Sequence, residues 1–408
     1  MIIRDFDTER DKEAVYRIWR EVGWLEKGKE AQMDCGLYAG TALVAEVNGE
    51  AECLVLSTPG TIRYLEEDLS LDAVTGVTTS YVARKQGLAG RVLARSIATR
   101  AKEGMLVSGL GMFDQGYYNQ LGFGTGGYEH HLRFDPAQLT VSTKARIPRR
   151  LTTKDVETIH EVRLKRMRSH GSCNLLPSAA TQADVENSEN GFGLGYFDGE
   201  AGELTHCFWG SAKGEHGPYS IYLLLFQTPA QFLELMALLK NLGDQVHIVG
   251  MHEPANIQIQ DLLKQPMKHR RVTQKSELEV GSWSAAYWQM RINDLAGCLA
   301  KTHLESKSVR FQLHLTDPIE KFLDTEETWR GTSGDYIVTL GEESEAVRGT
   351  DSSLPVLTAT VNAFTRMWLG VRPATGLAIT DTLSGSPELL ATLDKVLRLP
   401  SPRPDWDF

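Results

Sequence analysis

The chain has 408 residues, 41% of them hydrophobic and 24% charged, which is typical of globular proteins and enough for about two to four domains. No apolar run is long enough to cross a bilayer, and Met1–Asp7 is typical of a strand rather than a secretory signal, so we expect a cytoplasmic protein without a membrane partner. The formal net charge of −10 argues against a nucleic-acid partner and mildly favours cationic substrates.

The cysteines are scattered along the chain, odd in number and without the spacing of metal ligands. They are Cys35, Cys53, Cys173, Cys207 and Cys298. This pattern is typical of reduced, buried thiols, so we expect neither disulfides nor a metal site.

The first segment, up to about Leu139, is predicted to contain a helix, a hairpin, a strand, a second helix and further short elements. Val15, Ile18, Trp19 and Val22 recur at helical spacing, and Asn48-Gly49 separates two apolar strands. Trp19 and Trp24 are candidates for lining a pocket. Because tryptophans are more often core or interface residues, neither is assigned to the site.

A β-branched strand beginning at Val77 leads into a basic, glycine-containing turn and then into a helix. The turn and the start of the helix contain Arg84, Lys85, Gln86, Gly87, Leu88 and Ala89. The first amides of a helix lack intrahelical partners, and together with the helix dipole and the two basic side chains they can hold a pyrophosphate. Gly87 has no Cβ and therefore permits a close approach of the phosphate.

The spacing Arg84-x-x-Gly87-x-Ala89 resembles the acyl-CoA motif of GNAT acetyltransferases, in which the last position is Gly or Ala. The order of strand, motif and helix fits this family, and Leu106–Leu110 follows as a buried strand. The resemblance implies that acetyl-CoA is the cosubstrate and that its pantetheine arm lies between two strands that splay apart. Backbone groups of Val77 and Thr79 would then pair with this arm.

The stretch Gly116–Gly124 resembles the helix-to-strand element that closes the GNAT fold, where a tyrosine faces the thioester sulfur. Tyr118 fits that position through its spacing to Gly122. A phenol with a pKa of about 10 can protonate a leaving thiolate of pKa about 8.5 at modest cost. The alternative is that Tyr117 and Tyr118 are packing residues, and the upstream phosphate motif favours the catalytic interpretation.

Two further segments follow the first. The second starts near Ile147 and repeats the rhythm of the first, but Gln227–Gln231 stands where a phosphate-binding turn would be, so we expect a GNAT-shaped repeat without a CoA site. The third has an alternating strand at Val309–Leu315 and a closing helix around Leu389–Leu397, and it resembles a sterol-carrier-like α+β fold.

This combination of domains resembles the Eis (enhanced intracellular survival) acetyltransferase family over the whole chain. The resemblance implies an α/β (α+β) protein with tandem GNAT folds over residues 1–145 and 146–281 and a sterol-carrier-like domain over residues 282–408. It also implies a homo-oligomer, a hexamer in that family. Gln86 stands where the family often has another arginine, which predicts slightly weaker phosphate binding.

The chain end acquires a role through this resemblance. In the Eis family, the carboxylate of a C-terminal phenylalanine enters the first domain's site and takes the proton of the attacking amine, and Phe408 fits that role. Asp407 would attract a cationic substrate. Alternate prolines stiffen the segment from Pro400 onward, and a stiff arm loses little entropy on docking. The alternative is a frayed tail, which is the usual state of a chain end.

The sequence therefore predicts an acetyl-CoA-dependent N-acetyltransferase that acts on primary amines, either aminoglycoside-like polyamines or lysine side chains. The catalytic residues would be Tyr118 and Phe408. The alternative is a noncatalytic acyl-CoA sensor or lipid carrier, for which we would expect the CoA turn or the tyrosine to be missing.

Overall fold

The computed structural model of the chain describes residues 2–267 and 271–407. The strands are β1 (Ile2–Asp5), β2 (Thr41–Val47), β3 (Glu50–Tyr64), β4 (Glu67–Thr79), β5 (Val107–Gly111), β6 (Gly124–Thr125), β7 (Glu129–Phe134), β8 (Arg149–Leu151), β9 (Cys173–Leu175), β10 (Gly191–Tyr196), β11 (His206–Ala212), β12 (Tyr219–Leu225), β13 (Val249–His252), β14 (Gly281–Ala285), β15 (Trp288–Ile292), β16 (Val309–Thr316), β17 (Gly334–Leu340), β18 (Glu345–Arg348), β19 (Val356–Thr360) and β20 (Leu383–Gly385). The α-helices are α1 (Thr8–Glu21), α2 (Glu30–Tyr38), α3 (Leu88–Lys102), α4 (Gln115–Asn119), α5 (Val156–Lys165), α6 (Ser178–Glu186), α7 (Pro229–Asn241), α8 (Leu295–Ala300), α9 (Val361–Trp368), α10 (Ala374–Thr380) and α11 (Pro387–Val396). Within the described residues, no helix has the length and apolar character needed to span a membrane.

The chain forms two compact units, and the first is assembled from separate stretches of sequence. Unit 1 holds Met1–Gly127, His170–Pro177 and Ala286–Phe408, and unit 2 holds Tyr128–Ser169 and Ser178–Ala285. The mixed α/β architecture predicted from the sequence is confirmed. The division into three domains with boundaries near residues 145 and 281 stays a prediction, as does the sterol-carrier-like character of the third.

The larger sheet of unit 1 has the strand order β1-β2-β3-β4-β5-β15-β6, and β9 pairs with β3 outside this path. Strands β4 and β5 are parallel, with α3 as their crossover connection. Strand β15 lies between β5 and β6, although it is far from both in sequence. The polar side chains of Gln289 and Arg291 in β15 are fully buried, so an alternating pattern here does not indicate a solvent-exposed face.

This sheet is covered on both faces. On one face α3 and α4 pack against β3 and β4, and the shared core includes Cys53, Val55 and Tyr118. On the other face α1 and α2 pack against β2 and β3, with Trp19 and Leu54 in their core. Tyr118 and Trp19 therefore lie on opposite sides of the sheet.

The second sheet of unit 1 has the order β18-β17-β16-β19-β20. The predicted strand at Val309–Leu315 is β16 and the predicted closing helix is α11. After α11 the chain continues as an extended C-terminal arm, which we define as residues 399–407. Within the arm Pro402, Pro404 and Trp406 are buried, alternating with more exposed residues.

Unit 2 contains a sheet with the order β14-β7-β13-β12-β11-β10-β8. Strands β12 and β13 are parallel and are joined through α7, as β4 and β5 are joined through α3. The start of α7 is closed by a capping box, in which Thr228 accepts from the amide of Gln231 and the Gln231 side chain accepts from the amide of Thr228. The backbone amides of Thr228 and Gln231 at the start of α7 are therefore already hydrogen-bonded within the protein.

Candidate active site

The start of α3 leaves its amide donors open. Gly87 is the N-cap residue, with φ 73° and ψ 11°, and no side chain caps the helix. The amide of Arg91 makes the first helical bond, 3.3 Å to the carbonyl of Gly87, so the amides of residues 87–90 have no intrahelical acceptor. A Cβ built on Gly87 would meet no protein atom within 4 Å, so the space in front of the turn is open.

The basic side chains of this turn face solvent. The Arg84 guanidinium lies 4.8 Å from the centre of the Tyr81 ring, and neither Arg84 nor Lys85 forms an ion pair with a described residue. The side-chain amide of Gln86 donates to the carbonyl of Val82 at 3.0 Å, so this side chain folds back onto the loop. Leu88 is buried, and Ala89 is half-buried, so these two residues offer backbone amides rather than side chains. An open helix start and two unpaired cations suit the pyrophosphate of a nucleotide cosubstrate.

Strand β4 has a free edge beside this turn. Strand β4 pairs with β5 only from Leu71 to Val74. Directly after Val74, the pairing of β4 with β3 is interrupted by a β-bulge. The backbone amide of Ser80 donates to the carbonyl of Glu52 at 2.9 Å. In an antiparallel ladder alternate residues point their backbone groups toward the partner strand, so those of Val77 and Thr79 point away from β3. Backbone groups of both predicted residues are therefore available at the splayed edge, where an extended ligand can pair with them.

Tyr118 is positioned by α4, whose start is capped by the Asp114 side chain accepting from the amide of Tyr117 at 3.1 Å. The Tyr118 residue is only 3% exposed and its ring packs edge-on against Tyr117. Burial, with smaller contributions from Tyr117 and Asp114, raises the pKa of Tyr118 well above its ordinary value of 10. The phenol therefore keeps its proton at neutral pH, as a proton donor must.

The neighbouring Tyr117 has an equally unusual environment. Its hydroxyl is buried and has no hydrogen-bond partner among the described residues. Burial raises the pKa of Tyr117 to about 12, and Cys53 adds to the effect. The Cys53 sulfur accepts a hydrogen bond from the hydroxyl of Thr79, the last residue of β4, at 3.4 Å. Tyr117, which Cys53 influences, therefore lies near the end of β4. The spacing to Gly122 favours Tyr118, and no sequence pattern indicates that the Tyr117 hydroxyl is buried and unpaired.

The C-terminal arm is held in unit 1 by backbone and side-chain contacts. The backbone amide of Arg403 donates to the carbonyl of His170 at 3.1 Å, and the backbone amide of Cys173 donates to the carbonyl of Pro404 at 2.7 Å. The Asp407 carboxylate accepts from the Tyr287 hydroxyl at 3.0 Å. The Tyr287 carbonyl in turn accepts from the amide of Met112, the residue that follows β5. The described part of the arm therefore ends with Asp407 bonded to the side chain of Tyr287, and Phe408 lies outside the described residues.

One group of possible metal ligands occurs in the described part of unit 2. Ligand atoms of Asp198, His206 and Glu234 lie within 4.8 Å of one another. The Arg146 guanidinium donates to both carboxylates at 2.6–2.8 Å and holds the pKa of each carboxyl below its usual range. Burial lowers the pKa of His206. An arginine already supplies the positive charge that the two carboxylates need.

Comparison with known proteins agrees with this geometry. Residues 5–126 match the family model of the acetyltransferase (GNAT) domain. A probable N-acyltransferase from Enterococcus faecalis V583 has 16% identity and a TM-score of 0.80, with 100% of this chain and 99% of that chain covered. Eis1 from Mycobacterium abscessus has 15% identity and a TM-score of 0.77, and a GCN5-related N-acetyltransferase from Kribbella flavida has 16% identity and a TM-score of 0.75. Both comparisons cover 100% of each chain.

At these identities the solved structures establish a shared fold. No curated protein sequence matches the chain significantly. The prediction of a GNAT acetyltransferase domain is confirmed, and the likeness in fold to Eis1 extends over the whole chain.

Proposed function

We propose that this chain, an acyltransferase with a GNAT domain over residues 5–126 and acetyl-CoA as its cosubstrate, transfers the acetyl group to primary amines. The acceptors would be aminoglycoside-like polyamines or lysine side chains. The observation that carries the proposal is the uncapped start of α3 beside the free edge of β4, because these two features together provide a site for a pyrophosphate and for the extended arm that follows it.

In this proposal the amides of Gly87, Leu88 and Ala89 bind the pyrophosphate, with the side chains of Arg84 and Lys85 supplying positive charge. The amide of Gln86 completes the turn. Backbone groups of Val77 and Thr79 pair with the pantetheine arm and orient the thioester. An amide donor directed at the thioester carbonyl stabilises the negative charge that develops there during attack.

Proton transfer requires an acceptor for the amine and a donor for the leaving thiolate. Tyr118 is proposed as the donor, since its buried phenol is protonated at neutral pH. The α-carboxylate of Phe408 is proposed as the acceptor, directly or through water. The docking of the arm as far as Asp407 supports this role, because Asp407 is held by Tyr287, whose backbone carbonyl is bonded to Met112 after β5. The exposed carboxylate of Asp407 would attract the cationic substrate.

The test is release of the CoA thiol from acetyl-CoA in the presence of a panel of amines, with the acetylated product identified by mass spectrometry. We expect release that depends on the amine, with the acetyl group recovered on a primary amino nitrogen. Tight binding of acetyl-CoA without any amine-dependent release across polyamines, aminoglycosides and lysine peptides would contradict the proposal.

A further inference from the structure

Four buried polar atoms near the end of β4 have no hydrogen-bond partner among the side chains and backbone groups that the structure describes. They are Glu52 Oε2, Thr78 Oγ1, Ser80 Oγ and Trp19 Nε1. These residues are between 0% and 6% exposed. A buried polar group without a partner costs free energy, so a cluster of such groups in a native protein requires an explanation.

The four atoms belong to one face of the larger sheet. Thr78 is paired with Leu54 in the β3–β4 ladder, and Glu52 lies opposite Ser80, whose amide donates to the Glu52 carbonyl at 2.9 Å. Side chains of paired residues share a face, and Leu54 packs with Trp19 beneath α1. Helix α1 also reaches Glu52 directly, through Arg17 Nη2 at 3.2 Å from Glu52 Oε1.

This face lies opposite the proposed proton donor. Tyr118 packs with Cys53, Val55 and Leu88 on the α3 face of the same strands. Thr78 stands between Val77 and Thr79, whose backbone groups form the free edge of β4. A thioester held at that edge would therefore have Tyr118 on one side and the unpaired oxygens on the other.

The electrostatics of the α1 face favour a cation. The guanidinium of Arg17 is shared between Glu52 and Glu50, with Arg17 Nη2 at 3.1 Å from Glu50 Oε2. Two carboxylates thus divide one positive charge, and only one oxygen of Glu52 is used. The three unpaired oxygens of Glu52, Thr78 and Ser80 equal in number the three N–H donors of a primary ammonium group.

We infer that Glu52, Thr78 and Ser80 bind the primary ammonium group of the acceptor before it loses its proton. The inference rests on the proposed function and deepens it by assigning residues that bind the reacting nitrogen. Secondary amines offer one N–H donor fewer and bind less tightly.

The experiment compares steady-state kinetics of wild type, Glu52→Gln and Ser80→Ala with spermidine, an aminoglycoside and a lysine peptide as acceptors. We expect the KM for the preferred amine to rise about tenfold or more in Glu52→Gln and severalfold in Ser80→Ala, as expected for loss of a charged and a neutral hydrogen bond. The dissociation constant of acetyl-CoA, measured by calorimetry, stays within about twofold. Glu50→Gln is the matched control, because it removes the other Arg17 partner from an exposed position and leaves Glu52, Thr78 and Ser80 unchanged.

The outcomes separate this inference from the proposed function. If the wild type acetylates an amine while both pocket variants keep its KM, the inference is wrong and the proposed function stands. An equal rise in KM in Glu50→Gln would also overturn it, since the effect would then arise from Arg17. If the wild type acetylates no amine, the proposed function fails and this inference fails with it.

Discussion

Replacing Gly87 by valine tests the proposed pyrophosphate site. Gly87 has φ 73°, in the left-handed region where a non-glycine residue costs about 1–2 kcal/mol. A Cβ at this position contacts no protein atom within 4 Å, so no steric clash inside the folded protein adds to this cost. We therefore expect a folded variant whose free energy of unfolding is lower by about 1–2 kcal/mol, or somewhat more for a β-branched side chain.

The effect on the cosubstrate is expected to be separate from the effect on stability. The new side chain would project into the open space in front of the amides of residues 87–90, where the phosphates approach. Displacing them should weaken acetyl-CoA binding about tenfold or more, which corresponds to about 1.4 kcal/mol. Titration calorimetry of acetyl-CoA with the folded variant measures this loss directly.

Gly104 provides the matched control. It follows the opposite end of α3, has φ 92°, and a Cβ there also meets no atom within 4 Å. Gly104→Val should therefore lower stability by a similar amount without changing the affinity for acetyl-CoA. Unchanged affinity in folded Gly87→Val, or an equal loss of affinity in both variants, would refute the assignment of the α3 start as the phosphate site.

Tyr118→Phe should lower turnover about 100-fold or more with little change in acetyl-CoA binding, whereas a comparable loss confined to Tyr117→Phe would identify the neighbouring hydroxyl as the donor. A few residues added after Phe408, or deletion of Phe408, should reduce amine acetylation by about one or more decades while CoA binding is retained, and wild-type turnover in the extended protein would exclude the terminal carboxylate. Burial raises the pKa of Asp72 to about 6, so protonated Asp72 favours the folded state and stability should fall by up to about 3 kcal/mol as pH rises from about 4 to about 7. Urea unfolding of Asp72→Asn should lack this component, and an identical pH profile in both proteins would show that Asp72 does not titrate in this range.

The local elements of the first domain could be predicted from the sequence because their signals are local. Asn48-Gly49 does separate β2 from β3, and the glycine-containing turn at Gly87 does lead from β4 into α3. The backbone groups at Val77 and Thr79 could be anticipated only through the family resemblance, since the end of the β4–β5 pairing depends on where two distant strands diverge.

Other features of the site could not be read from a linear pattern. The position of β15 between β5 and β6 depends on long-range pairing, and its buried Arg291 is stabilised by Asp317 at 2.6 Å. The cluster of unpaired polar atoms on the α1 face likewise depends on tertiary packing. One sequence feature does point to this cluster, since Glu52 interrupts the apolar run Ala51–Leu56. A charged residue inside a buried strand requires a partner, and that partner can be a ligand.

The insertion of β15 affects how the enzyme must be made in a cell. Strand β5 has been synthesised long before Trp288–Ile292 leaves the ribosome, so one edge of β5 waits without its partner while all of unit 2 is translated. Unpaired strand edges recruit other strands, and a nascent chain in this state is exposed to misassembly and to chaperones. Recombinant fragments that stop after residue 127 would carry the same open edge permanently.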